Sequence, residues 1–306
     1  MVGGLLVVGA GGFVGAHLMH AARAHGIGVV GVVRRRATSW RLADAAGADI
    51  FEADVTRPDD IAQALRAVRP AAIINAAGSG VAPTARDPDM LRAVNVTAVT
   101  HLLDAAARAG VRRFIHLGSC SEYGDVAGPV DEATPTNPKD AYGASKAEGS
   151  ARVLAHAGGT MEAAVARLFN IWGPLESAHR LLPAVIGACR ARRPLDLTAG
   201  TQAKDYSYVG DVAQWLIGLA QAPAPIPGRL VNVAAGRQMA VRDLVSAVAR
   251  RLDGLELMRF GAKALPPGEA QTGPVNTARL DALLPGRPFT PLEAGIDALL
   301  AAPPPP

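Results

Sequence analysis

The sequence predicts an α/β fold, a doubly wound parallel sheet with a smaller lobe interleaved in its C-terminal half. Three observations carry this. Short apolar runs alternate with segments of helical spacing up to Asn170. The runs are continuous rather than alternating, as in strands buried on both faces. Beyond Asn170 the alternation loosens, and Pro and Gly interrupt it at GPLE, RRPL, APAPIPG and LPPGEAQTGP.

In order, LLVVGA (5–10) reads as the first strand and runs into the helical pattern FVGAHLMHAARAHG. GVVGVV (28–33) and ADIFEAD (48–54) follow as strands, and DDIAQALRAV as the next helix. AAIINAAG (71–78) is the fourth strand, and DMLRAVNVTAVTHLLDAAARAG reads as one long helix with Gly110 as its C-cap. RFIHLGS (113–119) is the fifth strand; EAAVARLFN (162–170), after the helix that carries YGASK, is the sixth. Val209 to Ala220 and Leu230 to Val233 are expected to return to the main sheet. Residues 1–170 with 209–235 then form the larger domain, and 171–208 with 236–300 the smaller lobe. The tail 301–306, AAPPPP, is expected to be disordered, and no internal repeat is present.

Composition narrows the function. Hydrophobic residues make up 49% and charged residues 19%, a globular balance. The net charge of +4 permits an anionic ligand, but the arginines are scattered and not interleaved with aromatics, which argues against nucleic acid. Cys120 and Cys189 cannot build a disulfide framework, no Cys/His cluster has metal-ligand spacing, and a reducing cytoplasm is expected. No stretch reaches the roughly 18 apolar residues of a membrane span. The apolar N-terminus lacks the basic start of an export signal, so a protein without a membrane partner is expected.

The turn after the first strand places Gly9, Gly12 and Gly15 three apart. Gly9 allows a tight turn, Gly12 lets backbone approach a pyrophosphate, and Gly15 lets the helix pack on the strand. Phe13 and Val14 open that helix, whose N–H groups and positive dipole end suit the phosphates of a dinucleotide. The second strand runs into Arg34, Arg35 and Arg36, with no carboxylate where an NAD site usually has one. Guanidinium forks suit a 2′-phosphate, so NADP(H) is expected ahead of NAD(H), with Arg34 and Arg35 as contacts; a solvated charge run is the alternative. Asp54 either accepts from the adenine amino group, with Val55 framing the ring, or caps the following helix. Ala76 and Ala77 end the fourth strand and pass close to the cofactor or simply pack tightly.

Tyr142 and Lys146 lie four apart on one helix face, in a chain with four Tyr. An ammonium about 4 Å from a phenol stabilises the phenolate by about 4 kcal/mol, which brings a tyrosine from about 10 towards 7, the range useful to a general acid or base. A carbon exchanging hydride also needs a donor on its oxygen, and Ser119 ends the fifth strand with Ser121 and Glu122 beside it.

With Asp54, NAAG, GSCSEYG, YGASK, ARLFNIWGP (166–174), KDYSYVGDV (204–212) and VNVAAG (231–236), the glycine turn resembles the extended short-chain dehydrogenase/reductase family, in its nucleotide-sugar epimerase, dehydratase and reductase branch. The resemblance implies a Rossmann-type fold. It implies Ser119, Tyr142 and Lys146 as the catalytic triad, Asn170 on a substrate diphosphate, and a homodimer through the helices at 90–109 and 141–157. Lys204 stands where the family usually has an arginine on that diphosphate, and Pro266 replaces another. Cys120 and Ser121 occupy the places of the acidic pair of sugar 4,6-dehydratases, which makes dehydration unexpected. Ser119 with Glu-Tyr-Gly is similar to the GDP-4-keto-6-deoxymannose reductases. The leading expectation is therefore an NADPH-dependent reductase of a 4-keto-6-deoxy sugar nucleotide. The alternatives are an NAD(P)-dependent nucleotide-sugar 4-epimerase, a ketone reductase acting on a small carbonyl substrate without a nucleotide, and, last, a non-enzymatic NADP(H) sensor. Epimerase-reductases use a cysteine and a histidine near Cys120 and His179, but here each is one position off register, and a structural cysteine with a surface histidine is the plainer reading.

Overall fold

Apolar runs that bury both faces need helices on both sides, and the chain supplies them. The computed structural model describes residues 4–43, 49–80, 87–156, 159–264 and 272–305. β1 (Leu5–Val8) leads into α1 (Phe13–Ala24), β2 (Val29–Val33) and β3 (Asp49–Glu52). Next come α2 (Pro58–Val68), β4 (Ala72–Asn75), α3 (Pro88–Arg92), α4 (Ala98–Arg108), β5 (Arg113–Ser119), α5 (Ala141–Ala155) and β6 (Glu162–Leu168). β7 (Asn170–Trp172), α6 (Leu181–Arg190), β8 (Leu195–Leu197) and β9 (Ala203–Tyr208) leave the main sheet; α7 (Val209–Gln221) and β10 (Leu230–Val233) return to it. β11 (Gln238–Ala240), α8 (Val241–Arg250), β12 (Met258–Phe260), α9 (Ala278–Leu283) and α10 (Leu292–Ala301) complete the chain, followed by 302–305 without regular structure.

The main sheet runs β10-β6-β5-β4-β1-β2-β3, all parallel. Along β1, Leu5 and Val7 face a core with Leu18 and Met19 of α1 and Trp215 of α7, while Leu6 and Val8 face one with Ile61 and Leu65 of α2 and Leu102 of α4. The strand order reverses between β1 and β4, and a crevice forms at such a switch point beyond the carboxyl ends of the strands. A third core, around Trp172, Val185, Leu244 and Ile296, holds the smaller lobe with its β11-β9-β7 and β12-β8 sheets. Among the described residues, no helix is long and apolar enough to cross a membrane.

Three elements depart from the sequence reading. The third strand shrinks to an edge strand whose Asp49 and Glu52 are exposed. The sixth ends at Leu168, because Phe169 buries itself beside Tyr123, Val130 and Ala234 and turns the chain into β7 of the other sheet. The long helix contains a π-helical turn, Ala93–Thr97, between α3 and α4, at which Asn95 bonds the backbone N and O of Ser79 and the hydroxyl of Ser145.

Candidate active site

β5 delivers Ser119 to the crevice, and a tight turn fixes it there. Ser119 Oγ accepts from Ser121 N at 3.1 Å, and Ser119 N donates to Glu122 Oε1 at 2.8 Å, a reciprocal capping box. α5 starts on the far side of this turn, with Asp140 Oδ1 accepting from Gly143 N at 2.7 Å. Gly143 lets the helix come this close, since a Cβ there would lie 2.5 Å from Ser121 O. Tyr142, in the first turn, therefore comes near Ser119, whose side chain acts on the phenol.

Lys146 lies one turn further on, 4% exposed, and its Nζ donates to the carbonyl oxygen of Leu117 at 2.6 Å. Burial pushes its ammonium down to about 8, against the attraction of Glu122. Burial likewise pushes the Tyr142 phenol up to about 12; the nearby Ser119 side chain opposes this, and negative charge at Cys120, Glu122 and Asp140 adds to it. The expectation that Lys146 draws the phenol towards 7 is thus overturned within the chain itself. The ammonium is bound to the strand, and loss of hydration dominates both groups.

The glycine turn fits the phosphates of a dinucleotide. Gly9 has φ +82°, and a Cβ there would meet Ala77 N at 2.6 Å, so the end of β4 presses against it at Ala76 and Ala77. A Cβ on Gly15 would lie 2.2 Å from Gly9 O, whereas one on Gly12 would meet only Gly9 O, at 3.2 Å. Space beyond Gly12 is open. No side chain caps α1 and no acid lies in its first turn, which leaves its positive end at Phe13 and Val14 for an anion.

At the end of β2, Arg34, Arg35 and Arg36 are exposed. The reading that no carboxylate is available there needs correction. Glu52 pairs with Val33 in the ladder, and its Oε1 accepts from Arg36 N at 2.6 Å, so β3 supplies an acid that β2 lacks. Asp54 Oδ1 accepts from Thr56 N and Oγ1 at 2.9 and 2.7 Å. Burial raises its pKa, yet those bonds and the charges of Arg34 and Arg57 leave it below the usual range. Asp54 thus organises the turn before α2, whose N-cap is Arg57, with Val55 partly buried beside it.

In the β11-β9-β7 sheet, Asn170 begins β7 and pairs with Tyr206 of β9, two residues from Lys204; Asn170 Nδ2 donates to Asp205 O at 3.2 Å. The charge of Lys204 is felt at the Cys120 thiol, which burial pushes up to about 11. Ser121 is partly exposed beside Ser119. Glu122 is not: it is 0% exposed, and its oxygens are taken by Ser119 N, by Ser150 Oγ at 2.9 Å and by Arg167 Nε at 2.8 Å. It braces the loop from behind instead of facing substrate. His179 is exposed, and Pro266 lies outside the described residues. Sequence reasoning passed over Arg167, although an arginine inside the apolar run AAVARLF was the available signal, and Asn95, which had none.

The family model of the NAD dependent epimerase/dehydratase family matches residues 5–234. The UDP-glucose 4-epimerase of Mycolicibacterium smegmatis is 29% identical over 303 residues, 95% of each chain. A dTDP-glucose 4,6-dehydratase of Mycobacterium tuberculosis is 30% identical over 218 residues, 68% of this chain and 65% of its own. Among solved structures, MoeE5 in complex with UDP-glucuronic acid and NAD matches 97% of this chain and 98% of its own, with TM-score 0.83 and 25% identity. UDP-glucuronic acid 4-epimerase from Bacillus cereus, at 22% identity over 97% of each chain, shares the fold with TM-score 0.86.

Proposed function

The chain belongs to the NAD-dependent epimerase/dehydratase family, and we propose that within it this protein is a nucleotide-sugar 4-epimerase. The observation that carries the reading is the convergence of Ser119, Tyr142 and Lys146 where β5 and α5 meet, in a chain that aligns almost end to end with a UDP-glucose 4-epimerase. When bound at the glycine turn, the dinucleotide supplies a reversible hydride acceptor and, in its oxidised form, a positive ring that favours phenolate. Tyr142 Oη takes and later returns the proton of the sugar hydroxyl, while Ser119 Oγ donates to the same oxygen. Lys146 holds the ribose side, and Asn170 and Lys204 hold the diphosphate across the cleft.

Dehydration lacks its acids. Beside Ser119 stand a thiol pushed up to about 11 and the hydroxyl of Ser121, and neither is a carboxylate. A second reading, the NADPH-dependent reductase of a 4-keto-6-deoxy sugar nucleotide, is favoured by exposed Arg34 and Arg35; Glu52 beside them favours NAD. Incubation with UDP-, dTDP- and GDP-linked hexoses and their 4-keto-6-deoxy derivatives separates the two. Interconversion of C4 epimers with no net change in reduced cofactor is expected. Stoichiometric loss of NADPH with a keto sugar, and no epimerisation, would overturn the proposal.

A further inference from the structure

Arg41 lies just beyond the arginine run, on a short 3-10 turn, Trp40–Leu42, with its guanidinium above the Trp40 ring at 4.4 Å. It bridges two regions far apart in sequence. NH1 donates to the carbonyl oxygen of Gly11, inside the glycine turn, at 3.4 Å; Nε donates to Leu175 O at 2.8 Å and NH2 to Ser177 Oγ at 2.7 Å. Beside it, His17 Nε2 bonds Pro174 O at 2.9 Å, and the His17 ring packs edge-on against Phe13, the first residue of α1. The segment after β7 is closed on itself as well. The carboxylate of Glu176, 5% exposed, accepts from Gly173 N at 3.1 Å and meets Arg180 at 3.4 Å, and Leu175 holds φ +66°, a costly conformation for a residue with a side chain.

A charged fork with two bonds across the domains and one to the phosphate turn is more than packing requires. We propose that Arg41 is a positioning residue, which with His17 clasps segment 173–177 onto the glycine turn so that a bound dinucleotide stays through repeated turnovers and leaves only when the clasp opens. The inference rests on the reading that this turn holds a dinucleotide. It deepens that reading, because an epimerase reuses its cofactor whereas a reductase must exchange it each cycle.

The test is release of NADH from the loaded protein, chased with excess NAD and followed by nicotinamide fluorescence. Arg41→Met, which keeps the aliphatic stem, and Ser177→Ala should each speed release, the former by about tenfold, the equivalent of one charge-assisted hydrogen bond. The double variant should release no faster than Arg41→Met alone, since both act through one contact. Arg41→Lys should fall between. Wild-type release rates in Arg41→Met and Ser177→Ala, at wild-type melting temperature, would overturn the clasp; if Arg41→Met does not fold, Ser177→Ala decides alone. Release is read without turnover. A chain that lacks epimerase activity yet loosens NADH on Arg41→Met therefore keeps the clasp and rejects the function, and a chain that epimerises but releases at an unchanged rate does the reverse. A wild-type chain that binds no dinucleotide overturns both.

Discussion

Lys146 Nζ and the carbonyl oxygen of Leu117 lie 2.6 Å apart, which ties the ammonium of α5 to the strand that ends in Ser119. Its ordinary pKa of 10.5 falls to about 8 in the fold because burial strips its hydration. Below pH 8 both folded and unfolded chains carry the proton, and the fold bears the whole cost of a buried cation. Between 8 and 10.5 the unfolded chain binds more protons, so stability rises with pH, by about 3 kcal/mol in all. The difference in unfolding free energy between wild type and Lys146→Met, measured by urea denaturation, should therefore shift by about that amount in favour of wild type from pH 7 to pH 10.5. A difference that stays constant would contradict the buried charge.

Tyr142 gives a complementary signal. With its phenol pushed up to about 12, the absorbance difference between wild type and Tyr142→Phe near 295 nm should show no step below pH 10 in the protein without added dinucleotide. The same variant should bind dinucleotide but lose turnover by about three orders of magnitude, as expected for removal of the proton-transfer group. A step near pH 7 would restore direct tuning by Lys146.

The glycines separate folding from binding. A methyl at position 15 would meet Gly9 O at 2.2 Å, a backbone atom that cannot move aside, so Gly15→Ala should destabilise the fold. At position 12 the methyl would crowd only Gly9 O at 3.2 Å and otherwise enter open space. Gly12→Ala should melt near the wild-type temperature yet weaken dinucleotide binding by about tenfold or more, read by titration with NAD and NADH. Equal thermal effects from the two variants would remove the phosphate-approach role of Gly12.

These residues also mark how far sequence reasoning reached. β1, the glycine turn and α1 follow one another in the chain, so their joint role was legible from spacing, as was the shared face of Tyr142 and Lys146. Directions and partners were not. Spacing places Lys146 one turn from Tyr142 but says nothing of Leu117 on β5, where the ammonium goes. Glu52 reaches the end of β2 only through parallel pairing of β2 with β3, a register no local pattern encodes. Burial, which decides the pKa of Tyr142 and Lys146, depends on α5 docking against the Ser119 turn, and Gly143, whose missing side chain permits it, reads in sequence as one glycine among many.

Glu122 and Arg167 form an ion pair at 2.8 Å with side chains 0% and 5% exposed, and the guanidinium lies 4.4 Å above the Tyr123 ring, whose hydroxyl donates to Asn232 Oδ1 at 2.7 Å. Removing one partner leaves the other charge without compensation in a region that excludes water, so Glu122→Gln should cost about 3 kcal/mol of stability or more. The double variant Glu122→Gln/Arg167→Met should recover part of that loss, because no uncompensated charge remains. Glu122 Oε1 also holds Ser119 N, so the single variant loosens the hydroxyl that holds the sugar oxygen. At a temperature where it remains folded, kcat should fall while KM stays near wild type, since the interaction lost matters in the transition state more than in the ground state. A rise in KM alone would instead place Glu122 on the substrate, the position its burial denies it.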